Sequence, residues 1–190
     1  MPEAGSHVLV GLSGGVDSAT AAALLIEAGC RCTGVTFDVL PDPRSAARAG
    51  AVDNARTVCA QLDIPLLEVS VAERFEREIV CDFMDAYAAA RTPNPCVRCN
   101  RRVKFQTLCE EADRIGADVV ATGHYARLGR CAGRASLHRA RSKAKDQSYV
   151  LANLSQEQLS RACFPLGAFE KDEVRALAAT RGLASAAAED

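Results

Sequence analysis

The sequence predicts an α/β fold, a mainly parallel sheet flanked by helices in the Rossmann-like manner, with a helical C-terminal portion. Three observations carry this. Short apolar runs of strand length alternate with segments whose apolar residues recur at helical spacing. Helix-length stretches separate those runs, the signature of βαβ units and a parallel sheet. The first run, Val8–Val10, empties into a Gly/Ser turn that opens an alanine-rich helix, and open parallel sheets bind ligands past such carboxyl strand ends.

Taken in order, Val8–Leu12 reads as a strand, Val16–Ala28 as a helix and Cys32–Val39 as a second, apolar strand. Pro41–Gly50, rich in Pro, Asp and Arg, reads as a loop. Ala51–Leu62 carries Val52, Ala55, Val58, Cys59 and Leu62 at helical spacing, and Ile64–Val69 is a third strand. Val71–Ala90 is a long helix with Phe75, Ile79, Phe83 and Tyr87 on one stripe. Pro93 and Pro95 disfavour helix around them, so Arg91–Asn100 reads as an ordered loop. Lys104–Ile115 is helical and Asp118–Thr122 is the fourth strand. Helical patterns recur in Gln147–Leu154, Gln156–Ala162 and Lys171–Arg181, and Ala184–Asp190 is a polar-ended tail. This organisation divides the chain into residues 1–140, which hold the strands, and 141–190, a helical extension.

A chain of 190 residues with 48% hydrophobic content can bury one sizeable core. The formal net charge of −1 gives no overall bias toward nucleic acid, so a polyanionic partner must be read from local clusters. No apolar run approaches the ~20 residues that span a bilayer. The N-terminus lacks a basic-then-apolar leader, and a cytoplasmic protein is expected. Nine cysteines are many for that setting, where disulfide scaffolding is disfavoured. Cys30, Cys32, Cys59, Cys81, Cys109 and Cys163 fall in apolar strand or helix contexts and read as small core hydrophobes, while Cys131 falls in a Gly/Arg loop.

The turn Gly11-Leu-Ser-Gly-Gly-Val-Asp-Ser18 gathers helix N-terminal amides, the helix dipole and two hydroxyls around one point, which suits a phosphate. The common phosphate loop, Gly-x-x-x-x-Gly-Lys-[Ser/Thr], has a lysine that reaches the β- and γ-phosphates. No lysine occurs between Gly11 and Ser18, and Asp17 stands in the loop instead, as a carboxylate suited to phosphate-bound Mg²⁺. The pattern Ser-Gly-Gly-x-Asp-Ser resembles the loop of the ATP pyrophosphatase (PP-loop) family. That resemblance implies cleavage of ATP between the α- and β-phosphates, adenylation of a carbonyl oxygen, and pyrophosphate held in the loop.

A second constellation is Arg91-Thr-Pro-Asn-Pro-Cys96-Val-Arg-Cys99-Asn100. A Cys-x-x-Cys pair can be a redox dithiol, half a metal site, or an activated nucleophile with its neighbour. Arg91, Arg98, Arg101, Arg102 and Lys104 surround the pair. These cations, and a helix starting near Asn100, are expected to lower the thiol pKa. A structural zinc normally takes four ligands, and the sequence has no second Cys-x-x-Cys.

The Gly11–Ser18 loop, Thr92-Pro-Asn-Pro followed by Cys99-Asn100, Lys104-Phe105, Ala121-Thr-Gly-His-Tyr125, Lys145-Asp-Gln-Ser-Tyr149, Phe164-Pro-Leu-Gly167 and Lys171–Arg175 fall in one order. Together they resemble the bacterial tRNA-specific 2-thiouridylase family, whose members install sulfur at C2 of the wobble uridine. The fold implied is that of the adenine nucleotide alpha-hydrolases, with residues 1–140 as the ATP-binding catalytic part. The resemblance places ATP at Gly11, Leu12, Ser13, Gly14, Gly15, Val16, Asp17 and Ser18, with Phe37 near the adenine and Gly123 also at the nucleotide. It places the target base at Asn94, Pro95 and Cys96, tRNA at Lys145, Asp146 and Gln147, and makes Cys99, the nucleophilic cysteine, and Asp17 the catalytic residues. The partners implied are tRNA and a persulfide sulfur donor protein.

From Arg127 to Lys145 there are seven basic residues and none acidic, which reads as an RNA backbone footprint or a solvated basic loop. The family commonly has Asp where this chain has Cys96. With Cys99, that cysteine implies an iron–sulfur cluster or a transient disulfide as alternatives to a single nucleophile. The family's second catalytic cysteine, the persulfide carrier, lies in a Gly-Ile-Cys-Phe segment beyond the region that the resemblance covers. The expected activity is therefore 2-thiolation or its ATP-dependent activation half. The rival readings are an amidating PP-loop ligase and a nucleotide-binding module without turnover.

Overall fold

Val8, Leu9 and Val10 are fully buried because strand β1 (His7–Gly11) is covered on both faces. The protein, here a computed structural model, is described for residues 1–39 and 46–187. β1 pairs in parallel with β2 (Arg31–Asp38) on one side and β4 (Val119–Thr122) on the other. β3 (Leu66–Ser70) and the two-residue β7 (Ala162–Cys163) extend the sheet to the order β3-β2-β1-β4-β7, every pairing parallel. Alternate residues of β1 serve opposite layers. Val8 and Val10 meet α1 (Val16–Glu27) and α2 (Ala46–Leu62), whereas Leu9 meets α6 (Phe105–Ile115) together with Val35 of β2. α1 is buried nearly all round, its alanines giving the sheet close approach, and α8 (Lys171–Thr180) packs against it. From β1 the chain runs outward through β2 and β3, then returns to the far side of β1 as β4. That reversal opens a crevice beyond Gly11 and Thr122, the kind of position where doubly wound sheets bind ligands.

The expected strands correspond to β1 to β4, while β7 falls where the sequence predicts a helix ending at Ala162, and other elements depart from expectation as well. α2 starts at Ala46, so the last part of the expected 41–50 loop is helical; residues 41–45 lie outside the described residues. The long helix after β3 is α3 (Ala72–Phe75), a π-helical turn (Glu76–Val80) and α4 (Cys81–Ala88). Its stripe breaks at that turn: Ile79 is buried with Val71 and Val103, while Phe83 and Tyr87 stack on each other outside the core, ring centroids 5.0 Å apart. A π turn takes one extra residue and so rotates all that follows. The expected Arg91–Asn100 loop contains α5 (Pro95–Cys99), which continues through a second π turn (Asn100–Lys104) into α6. Pro95 is tolerated because it sits in the first turn, where its missing N–H has no intrahelical partner to lose.

The basic stretch as far as Arg139 is a hairpin, β5 (Ala126–Cys131) with β6 (Arg134–Arg139), rather than a loop. Ala132 and Gly133 turn it with φ of 48° and 77°, the paired positive values of a type I′ turn. The C-terminal helices are the 3₁₀ turns Ser148–Leu151, Pro165–Ala168 and Ala184–Ala187, the last of them in the expected tail, with α7 (Gln156–Arg161) and α8. Cys30, Cys32, Cys59 and Cys109 are buried as expected, but Cys81 is exposed on α4, Cys163 half-buried in β7, and Cys131 exposed at the end of β5. Among the described residues no helix is long and apolar enough to cross a membrane.

Candidate functional site

The Gly11–Ser18 segment carries the chain from β1 into α1. Gly14 takes a positive φ of 79°, and a Cβ there would lie 2.6 Å from the Cβ of Asn54 in α2. The Ser18 hydroxyl closes the turn: it accepts from Ser13 N at 3.2 Å, lies 3.2 Å from Ser13 Oγ, and donates to Gly15 O at 3.1 Å. Gly15 is the N-cap of α1 and supplies no side-chain cap, so first-turn amides remain available to a ligand. β4 ends against the same turn. A Cβ at Gly123 would lie 2.7 Å from Ser18 N and 2.8 Å from the Asp17 carbonyl carbon, so only glycine lets the strand end pack on this backbone.

A cleft of about 330 Å³ opens there. Of the expected nucleotide residues, Gly11, Leu12, Ser13, Asp17, Ser18, Phe37 and Gly123 line it; Gly14, Gly15 and Val16 shape the turn without lining the cleft. Thr36, Lys104, Thr122, His124 and Gln147 complete its polar wall, a contribution from β2, β4 and the segment before α6 that the loop motif alone does not announce. His124 is half-buried, packed between the rings of Phe105 and Phe164, its Nδ1 2.8 Å from Thr122 Oγ1. Burial, with the charge of Lys104 acting the same way, depresses its pKa to about 4, so the ring is neutral at pH 7.

Asp17 does not face the cleft alone. Lys171 Nζ, from the first residue of α8, lies 2.9 Å from both carboxylate oxygens, and the Tyr125 hydroxyl donates to Oδ1 at 2.8 Å. The loop's aspartate is thus paired with a lysine from a helix 154 residues later, one that does not itself line the cleft. Lys171 and Tyr125 both belong to segments that the motif series marks, but a pairing over that separation has no local signal in sequence.

The cysteine pair sits on α5 and its junction with the π turn. Asn94 caps α5 by accepting from Cys96 N at 3.2 Å. Asn100 Nδ2 donates to Cys96 O at 3.0 Å, while its buried Oδ1 has no partner. Cys96 is exposed and Cys99 half-buried, both as free thiols. The expectation of a lowered Cys99 pKa is not met. Burial raises it, Lys104 opposes that rise, and Cys96 adds to it. The reason is geometric. The helix starts at Pro95, so Cys99 is at the end of α5 rather than at an N-terminus, and Arg98 is engaged by Glu78 and Asp82, donating at 2.7 Å to Glu78 O and lying 3.0 Å from Asp82 Oδ1. Among the described residues no group of three His, Cys, Asp or Glu side chains gathers around a metal position. Two thiols do not make the four-thiolate set of a common iron–sulfur cluster.

Of the expected tRNA contacts, Lys145 is exposed, whereas Asp146 accepts from Ala140 N, Ser148 N and Ser148 Oγ and thereby ties the end of β6 to the following turn. Gln147 lines the cleft, its Oε1 accepting from Tyr125 N at 3.0 Å. Arg141 lies beside Glu170 and Glu173, so part of the basic stretch is neutralised within the fold.

The family described as the tRNA methyl transferase HUP domain matches residues 6–190. Similar proteins include the tRNA-specific 2-thiouridylase MnmA of Chloroflexus aurantiacus, 48% identical over 97% of this chain and 54% of its own length. That of Acidothermus cellulolyticus is 49% identical over 95% of this chain and 52% of its own. The chain thus spans about half the length of the curated relatives it matches. Among solved structures, a 4-thiouridine synthetase–RNA complex with bound ATP superposes with a TM-score of 0.68 at 21% identity, covering 95% of this chain and 42% of that one. NMN synthetase from Francisella tularensis superposes at 0.60 and 18%, covering 98% and 66%; at these identities the likeness is one of fold. With a family match that runs from the first strand through the last helix, the chain belongs to the tRNA methyl transferase HUP domain family.

Proposed function

We propose that this chain binds ATP in the cleft and activates the wobble uridine of tRNA for 2-thiolation. The observation that carries the reading is convergence: the Gly11–Ser18 turn and Lys104, five residues beyond Cys99, line one cleft. The name shared by its relatives, tRNA-specific 2-thiouridylase, supports the substrate class. On this reading Gly11 to Ser18 hold the phosphates, Phe37 lies by the adenine and Gly123 lets the nucleotide seat against β4. Asn94, Pro95 and Cys96 meet the target base, and Lys145, Asp146 and Gln147 meet the surrounding RNA.

Uracil O2 attacks the α-phosphorus, the bond to the bridging oxygen of the β-phosphate breaks, and pyrophosphate leaves into the amides and hydroxyls of the loop. Adenylation turns a poor leaving oxygen into a good one. The terminal sulfur of a persulfide presented by a donor protein then attacks C2, and AMP departs with O2. Cys99 thiolate attacks the donor's inner sulfur, which frees 2-thiouridine and leaves a Cys99–donor disulfide that a dithiol reductant restores. The target base has to leave its stack to enter. Mg²⁺ fits here as a phosphate-bound ion, because such sites use one or two carboxylates and Asp17 is the cleft's own. Asp17 would hold it, and the ion would neutralise charge on the departing pyrophosphate. Lys171 fixes Asp17 in position for that role.

The test is pyrophosphate release from ATP with unmodified tRNA, comparing Asp17→Ala and Cys99→Ser. Asp17→Ala is expected to lose release, and Cys99→Ser to retain release but yield no thiolated tRNA. Turnover indifferent to Asp17→Ala removes the loop assignment. Release without RNA and without regard to Cys99 turns the reading into an amidating ligase. ATP binding with no release turns it into a nucleotide-binding module.

A further inference from the structure

Cys99 and Lys104 are five residues apart, a step that in an α-helix turns about 140° and sends two side chains to different faces. The intervening π turn, closed by Phe105 N donating to Asn100 O, spaces its hydrogen bonds five residues apart and brings such residues back toward one face. Lys104 is thereby returned to the side of Cys99, while its side chain also lines the cleft beside Ser13, Asp17 and His124. Its charge reaches both the Cys99 thiol and the His124 ring. Arg98, the nearer cation in sequence, is occupied by Glu78 and Asp82, whereas no described carboxylate pairs with the Lys104 ammonium.

We propose that Lys104 is a cation shared by the two halves of the site: it supports Cys99 while the cleft is empty and turns to the nucleotide phosphate when the cleft is filled. Cys99 reactivity is then set by what the cleft holds. This deepens the nucleotide reading above and rests on it. The device needs no movement of backbone, only a flexible side chain between a thiol and a phosphate, and lysine, a point charge on a four-carbon stem, suits it.

The experiment is the rate of Cys99 alkylation by iodoacetamide at fixed pH, followed by site-resolved mass spectrometry. It uses the full chain and its Lys104→Met, Lys104→Gln and Lys104→Arg variants, each without nucleotide, with ATP and with adenosine. ATP is expected to slow the parent protein about tenfold, the lower end of what a neighbouring charge does to a titrating group. Adenosine, which has no phosphate, is expected to slow it far less. Lys104→Met and Lys104→Gln should start about tenfold slower and respond no further to ATP, and Lys104→Arg should behave as the parent does. Equal slowing by ATP in parent and Lys104→Met overturns the proposal. Equilibrium dialysis of ATP on the same samples separates the two levels. Absence of binding removes the nucleotide reading itself, whereas binding with a Lys104-independent response removes only the shared cation.

Discussion

Gly123→Ala tests whether the end of β4 sets the shape of the phosphate turn. The added Cβ would stand 2.7 Å from Ser18 N, 2.8 Å from the Asp17 carbonyl carbon and 3.0 Å from Ser18 Cα. Ordinary contact begins near 3.4 Å, so strand and turn must part by about 0.7 Å, and the obstacle is backbone that has no rotamer to change. Overpacking of this kind costs about 1–3 kcal/mol. A displacement approaching 1 Å at a reacting centre costs on the order of a hundredfold in rate. The variant should therefore unfold a few degrees earlier and lose about tenfold or more in ATP affinity or tRNA-dependent pyrophosphate release. Calorimetry of ATP binding and thermal unfolding read the two effects separately. A variant that binds ATP as the parent does, with unchanged Tm, refutes the claim that Gly123 is required by close approach.

Three further outcomes follow from the same geometry. His124 has a folded pKa of about 4 against 6.5 in the unfolded chain, so its contribution to stability is complete above pH 6.5 and is lost as pH falls toward 4, about 3 kcal/mol in all. Urea unfolding of the parent and His124→Phe across that window should show this slope only in the parent. Lys171→Met leaves Asp17 partly buried without its ammonium; a loss of about 2 kcal/mol is expected, and a double-mutant cycle with Asp17→Asn should show coupling rather than additivity. Asn94→Ala removes the α5 cap, at about 1 kcal/mol, and should speed hydrogen exchange at the Cys96 amide while leaving global Tm nearly unchanged.

The sheet was legible because its signals are local. Val8–Val10 and the glycine turn after them announce strand, turn and helix within a dozen residues, and the elements from β1 to β4 follow. The hairpin was not, because Arg127, Arg130, Arg134 and Arg139 dominate its composition and mask the alternation of Ala126 and Leu128 against Ala135 and Leu137. The Ala132–Gly133 turn is a weaker signal than Asn-Gly. α5 could have been found: Asn94 before Pro95 is an N-cap followed by proline in the first turn, a helix start rather than a helix stop. The candidate site divides in the same way. Its loop residues are contiguous and readable, but Lys171 on Asp17 depends on α8 packing against α1, and Tyr125 on Asp17 depends on the end of β4 meeting α1. The sign of the Cys99 shift depends on burial, which no count of neighbouring arginines gives.

The central claim, that ATP activates the uracil oxygen, is tested most directly by isotope. An anticodon stem-loop carrying oxygen-18 at uridine O2 is incubated with this protein, ATP and hydrosulfide as sulfur donor, and the AMP is weighed by mass spectrometry. AMP heavier by two mass units is expected, formed in step with 2-thiouridine and absent with Asp17→Ala. AMP formed at an RNA-dependent rate but carrying only ordinary oxygen would contradict that claim.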